Sequence, residues 1–370
     1  MNMSKTIRER RSIRRYSARP VAQETIDSLL NQAASLYQAE GEDASHWRSI
    51  CYSTQEARHR LADSMIAKMQ GSTLGKLLPG KMLDLIKRQV TETPAQLVFI
   101  AESGSTQRQS DENYAAACSI MQNVQLLGWE QGLGMLWYTD PMLNSAAFER
   151  EIGLGEGERF AGILSIGFYE KVPRARKRTP AEQKWTAIEG EVSGYADHLQ
   201  VSSQNGSGPA HKASLQNGAA HQASSRTVSS QSVLALLNDA VWAPNDGLRE
   251  PWRFIYAGDG EAADRLRALD GNRDASAAFL LVVAKEESDP HKREEDYAAI
   301  CCLIQNFQLL AASEPWPVRR TLPEWIYEPA QCKLFGVRPQ ERIVAVLALG
   351  GDGRHSNLKT ALPTVNVTYR

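Results

Sequence analysis

The chain has little to crosslink it. Its five cysteines, Cys51, Cys118, Cys301, Cys302 and Cys332, are odd in number and contain no C-x-x-C pair. That excludes a disulfide or zinc framework and suits reduced thiols in a cytosol, so a cytoplasmic protein is expected. The seven histidines are scattered and none has metal-ligand spacing. No apolar run reaches the length of a membrane span. The formal net charge is -1, so bulk electrostatics give no reason to expect a nucleic acid or a membrane as partner. Large apolar residues are sparse in residues 188–230, which are rich in Ser, Gly, Ala, Gln and Asn. Such a stretch cannot bury enough surface to offset its ordering entropy, and it reads as a linker. The remainder, in a chain of 370 residues that is 42% hydrophobic, is long and apolar enough for two cores.

What is there occurs twice. Residues 114–127 read YAAACSIMQNVQLL, and residues 297–310 read YAAICCLIQNFQLL, at an offset of 183. The offset carries Gly153, Glu158, Arg159 and Gly167 onto Gly336, Glu341, Arg342 and Gly350, and the apolar run 97–101 onto 280–284. A repeat this long is a duplicated domain, not a solenoid unit. The repeated stretch has helical spacing, no Gly or Pro, and apolar or small residues nearly all round, so it is a buried helix. Two copies suit the two subunits of a former homodimer on one chain.

Residues 21–34 form an amphipathic helix after Pro20. HWRSICYS at 46–53 reads as a strand, and 54–93 as two helices broken at Gly71 and Pro79-Gly80. Then follow a strand at 96–101, the buried helix 111–130, a strand near 134–138, a helix near 142–152 and a strand at 160–167. After the linker, SVLALLNDAVWAP repeats the first helix and PWRFIYA repeats the first strand. The second copy lacks most of the 54–93 insertion. It rejoins at a strand 278–284, the helix 294–311, a helix near 327–335 and a strand 342–349. The fold class is α+β: two fused domains, 1–187 and 231–370, each with a sheet and one long buried central helix, paired within one chain. The N-terminal MNMSKTIRERRSIRRYSARP is rich in Arg and Ser, as transit peptides are. It lacks an apolar helical face and runs straight into a helix pattern, which favours its being part of the fold.

Three clusters carry chemistry. Arg10, Arg11, Ser12 and Arg14 offer arginine forks and a hydroxyl within five residues, suited to a phosphate. The bland alternative is a solvated basic tail. Arg174, Arg176, Lys177 and Arg178 follow the strand 160–167, with a solvated loop as the alternative. Ala243-Pro244-Asn245-Asp246-Gly247 is a turn, closed by Pro251-Trp252. Gly132 and Gly134 follow a helix and not a strand, so they fail the context of a dinucleotide fingerprint.

In order and spacing, RRSIRRY with Pro20-Val21, GLGMLW at 132–137, Ile166-Gly167-Phe168 with Arg176-Lys177-Arg178, and APNDGLREPWRF at 243–254 resemble the nitroreductase family. The resemblance covers nearly all of the chain outside the linker. It implies FMN at the pairing interface. The phosphate would be held by Arg10, Arg11, Ser12 and Arg14 with Arg176 and Arg178, and Arg14 would reach the pyrimidine edge. The segment Thr139-Asp140 would lie at flavin N5. The turn Pro244, Asn245, Asp246 and Leu248, from the other half, would lie against the ring. Asp140 stands where the family commonly has Gly, and Leu248 where it has Asn.

The elements are divided between the halves. The first half keeps the arginines but has LYQAEGEDASHW in place of the turn. The second keeps the turn, but its equivalent of the arginine element falls near Gln216 and its basic element is reduced to Arg354 and Lys359. The resemblance therefore implies one FMN per chain, in a monomer that acts as an intramolecular pseudo-dimer. It implies NAD(P)H as donor and a nitroaromatic, quinone or other small organic acceptor, in ping-pong. The alternatives are a flavin-storage protein with an occluded FMN, in which 54–93 acts as lid, and a duplicated scaffold without cofactor.

Overall fold

The computed structural model describes residues 2–37, 46–70, 80–140, 145–188, 228–271, 278–351 and 365–370. Most of the linker, residues 38–45 of the stretch that replaces the turn in the first half, and Arg354 and Lys359 lie outside the described residues.

The repeated stretches form the longest helices. The first half contains α1 (Met3–Glu9), α2 (Gln23–Ser35), α3 (Gln55–Gln70), α4 (Gly80–Thr91), α5 (Gln107–Glu130) and α6 (Ala146–Ile152). The second contains α7 (Ser230–Ala240), α8 (Glu261–Leu269), α9 (Pro290–Ala311) and α10 (Pro329–Leu334). Thr106 caps α5 by accepting the Gln109 N–H, and Asp289 caps α9 ahead of Pro290 in the first turn. Both helices are buried on nearly every side, because each packs on its own sheet and on the other helix. The repeated Gln-Asn dipeptide joins them. Gln122 donates to Asn306 Oδ1 at 2.8 Å, and Gln305 donates to Asn123 Oδ1 at 3.0 Å. Each asparagine then ties down the C-terminal end of an earlier helix of its own half, α2 or α7. Asn123 donates to the Ala33 carbonyl at 2.9 Å, and Asn306 to the Ala240 carbonyl at 3.1 Å.

Two five-stranded sheets flank this pair. One has the order β10-β1-β2-β4-β3, from β1 (Trp47–Tyr52), β2 (Ala95–Glu102), β3 (Leu133–Tyr138), β4 (Glu158–Phe168) and β10 (Val367–Tyr369). The other has the order β5-β6-β7-β9-β8, from β5 (Trp185–Ala187), β6 (Trp252–Ala257), β7 (Ala278–Lys285), β8 (Val318–Thr321) and β9 (Glu341–Leu349). The correspondence between the halves extends to details of register. A bulge falls between Phe99 and Ile100 in one sheet and between Val282 and Val283 in the other, at the same offset. Arg48 grips Glu158 at 2.6 Å and the Gly153 carbonyl, while Arg253 grips Glu341 at 2.6 Å and the Gly336 carbonyl.

The sheets do not follow a division at 187. Residues 185–187 pair in parallel with β6 of the second sheet, and the C-terminal 367–369 pair in parallel with β1 of the first. Each half thus supplies the edge strand of its partner, covering what would be an open edge. These three-residue strands, β8 and α8 are absent from the sequence reading, being too short or too polar to show a period.

The N-terminal segment is part of the fold, and residues 3–9 form a helix that the sequence reading had not assigned. Asn2 caps it, Thr6 and Ile7 are buried, and Ser4 and Arg8 bind Asp239 on α7. One apolar core runs through both halves, and a second lies between α3, α6 and the outer face of the first sheet. Among the described residues, no helix is long and apolar enough to cross a membrane, and no cluster of His, Cys, Asp or Glu could hold a metal.

Candidate active site

The N-terminal arm reaches the site by lying along the edge strand β3. Ser12 bridges Met135, and the Ile13 N–H donates to the Met135 carbonyl at 2.9 Å. The approach needs Gly134, where a Cβ would come within 2.4 Å of Ile13 Cγ1. Gly162 serves the neighbouring side chain: a Cβ there would meet Trp137 Nε1 at 2.1 Å, and its φ of +145° sits at the bulge. Gly134→Ala is therefore expected to lift the arm from β3 and lower the thermal stability of the protein. Thermal denaturation reads this; an unchanged midpoint would contradict it.

The arm and strand end form one wall of a cavity of about 620 Å³ between the halves. Ser12, Arg14, Trp137, Tyr138, Thr139 and Asp140 come from the first half, and Pro244, Asn245, Asp246 and Arg249 from the second. Ala298, Ala299, His291 and Glu295 of α9 and Met65, Ile86, Gln89 and Val90 of the 54–93 insertion also line it. The size lies within the range of small-molecule and cofactor sites.

Seven of the residues singled out from sequence thus share one cavity: Ser12, Arg14, Thr139, Asp140, Pro244, Asn245 and Asp246. Leu248 does not line it. Its φ is +60°, and with Gly247 at +56° and Glu250 at +46° it belongs to a left-handed turn, a conformation costly for side-chain-bearing residues. Asn245 stabilises the turn by accepting the Glu250 N–H at 3.1 Å. Its strain is tied to a function the sequence did not reveal. Glu250, 6% exposed, accepts the Thr179 N–H with both carboxylate oxygens, at 3.1 and 3.2 Å, and its carbonyl accepts from Lys184. The second half thereby clasps the chain next to Arg178.

Arg10, Arg11 and Arg178 form a second group beside the cavity. Arg10 is 6% exposed and donates to Gln125 Oε1 at 3.4 Å. Burial pushes its pKa down to about 10, and Arg178 and Arg11 add repulsion. Burial also lowers Arg11 and Arg178. The Nε atoms of all three are buried without a hydrogen-bond partner. Three repelling cations with unused donors fit a dianionic phosphate. Arg176 is not among them. Its side chain is exposed, and it contributes its carbonyl, which accepts from Arg178 at 3.4 Å.

Across the cavity, Glu295 takes Thr139 Oγ1 at 3.3 Å and lies 3.3 Å from His291 Nε2 and 3.5 Å from Arg249 Nη2. Burial raises the Glu295 pKa and Asp246 adds to this, while His291 and Arg249 oppose it. Neither Glu295 nor His291 was found from sequence. The signal available was helical spacing: 291, 295, 298 and 299 lie on one face of α9, leading back from the repeated alanines.

Comparison with known proteins shows the family of the chain. The profile of the Nitroreductase family matches residues 7–168. A Bacillus subtilis (strain 168) protein assigned by name as an NAD(P)H nitroreductase is 31% identical over 182 residues, 49% of this chain and 92% of its own length. The crystal structure of a nitroreductase-like family protein from Bacillus cereus is 33% identical, covering 51% of this chain and 97% of that one, with a TM-score of 0.46. An FMN-dependent nitroreductase from Clostridium difficile R20291 is 21% identical, covering 46% and 90%, with a TM-score of 0.35. The chain belongs to the nitroreductase family, an oxidoreductase group. It is about twice the length of the relatives it matches.

Proposed function

We propose that the protein is an FMN-dependent NAD(P)H oxidoreductase with one FMN per chain, bound between its two halves, reducing a nitroaromatic, quinone or other small organic acceptor. The observation that carries this reading is the cavity shared by the halves, with three arginines beside it whose Nε atoms lack acceptors. Bound there, FMN would supply reversible two-electron chemistry between donor and acceptor. Arg10, Arg11 and Arg178 would hold its phosphate, with Ser12 and Arg14 on the adjoining wall. Thr139 and Asp140 would border the reactive edge, and Asn245 and Asp246 the ring. Donor and acceptor would use the same open side in turn, beneath α4.

The single-site count is supported by what stands at the mirrored positions. At the offset of 183, Trp137, Thr139 and Asp140 correspond to Arg320, Leu322 and Pro323. Arg320 faces Tyr37, Tyr297 and Glu112, and Leu322 is buried. Releasing the flavin by denaturation and titrating it against protein is expected to give one per chain; a ratio near two would overturn the count. The pairing of α5 with α9 inside one chain also supports a monomer, and light scattering should find 41.0 kDa. Under anaerobic conditions the flavin band should bleach with NADH or NADPH and return with a quinone.

A second reading, flavin storage, draws on Met65, Ile86, Gln89 and Val90, by which the insertion lines the cavity. It predicts a flavin that resists both nicotinamides until α4 is removed.

A further inference from the structure

We propose that Trp242, on the second half, is the positioning residue that aims Arg11 and Arg178 of the first half at the cofactor's phosphate. This rests on the FMN reading. Trp242 stands just past the end of α7, where its N–H donates to the Asp239 carbonyl at 3.2 Å. The guanidinium carbon of Arg11 lies over its indole at 5.5 Å from the ring centroid, and that of Arg178 at 5.4 Å. The two arginines come from distant parts of the first half, yet converge on one side chain of the second.

The choice of an aromatic has a physical reason. Arg10, Arg11 and Arg178 repel one another, so something must hold them together before the anion arrives. A carboxylate would do so by taking up their N–H donors, leaving fewer for phosphate. An indole face attracts a guanidinium through its quadrupole and leaves the in-plane donors free. The orphaned Nε atoms of Arg11 and Arg178 agree with that division of labour. Both arginines are also fixed along the backbone by the second half. Asp239 holds α1 through Ser4 and Arg8, and Glu250 holds Thr179 beside Arg178. The phosphate end is therefore a joint product of the two halves, as the ring end is.

Comparing FMN with riboflavin, which lacks the phosphate, tests this by calorimetry on apoprotein. Trp242→Leu is expected to weaken FMN about tenfold while riboflavin changes less than about twofold. Trp242→Phe, which keeps a ring with a weaker face, is expected to fall between, and it serves if the leucine variant does not fold. Equal losses for both ligands would make Trp242 a general packing residue, and unchanged FMN affinity would remove any role; either result overturns the proposal. A wild-type protein that binds FMN no tighter than riboflavin would instead sink the phosphate-site reading itself.

Discussion

Replacing Arg10 with methionine is expected to stabilise the apoprotein and to weaken FMN binding at once. Arg10 is 6% exposed, and burial holds its pKa down to about 10 from 12.5. A depression of that size corresponds to about 3 kcal/mol of penalty on the charged form in the folded state, an upper limit on the gain from removal. Its side-chain hydrogen bond to Gln125, at 3.4 Å, is long and offsets little of that. Methionine fills a similar volume without charge. With FMN present the sign reverses. A charge-assisted hydrogen bond to phosphate is worth about 1.5–3 kcal/mol, so affinity should fall roughly tenfold to a hundredfold. Thermal denaturation of apoprotein and calorimetric titration with FMN read the two effects separately. A less stable apoprotein with undiminished FMN affinity would make Arg10 a structural residue and remove the phosphate role. The same logic explains why this cost is tolerated: the site stores repulsion that only an anion relieves.

How much of this was legible in the sequence depended on the kind of signal. The central helices, most strands and the pairing of the halves followed from one offset and a helical period, because burial on nearly all sides leaves an unmistakable run such as 114–127. The Ser12, Thr139 and Asn245 neighbourhoods were found because local motifs mark them. Leu248 and Arg176 do not line the cavity, for a shared reason. Position in a motif does not say where a side chain points, and both residues serve through backbone geometry. Trp242, Glu250 and Glu295 were missed because their work is done across the interface. Glu250 at the end of a turn and Glu295 on a helix look like solvated acids until the partner half covers them. The swapped edge strands escaped because three residues carry no period, and because their partners lie in the other half.

Asn123→Ala is expected to cause a large loss of stability for a single polar change in the interface. Asn123 is 0% exposed and makes two contacts at once, donating to the Ala33 carbonyl at 2.9 Å and accepting from Gln305 at 3.0 Å. Alanine would leave a buried carbonyl and a buried amide N–H without those partners, at about 1–3 kcal/mol each. The summed cost of about 2–6 kcal/mol is a large part of a typical folding free energy. Asn306→Ala should cost a similar amount, since its links to Ala240 and Gln122 repeat the same arrangement. Urea denaturation measures both. A double-mutant cycle with Gln305→Ala isolates the contact between halves from the contact within one, because Gln305 touches Asn123 but not Ala33. A coupling of roughly 1 kcal/mol or more would show that this pair helps hold the two halves together. A coupling near zero, with the full loss still present in Asn123→Ala, would assign the asparagine to anchoring α2 alone. The first outcome is favoured by the preservation of both Gln-Asn pairs. The four amides are identical in the two repeated stretches, whereas the arginine element and the turn each occur in one half alone.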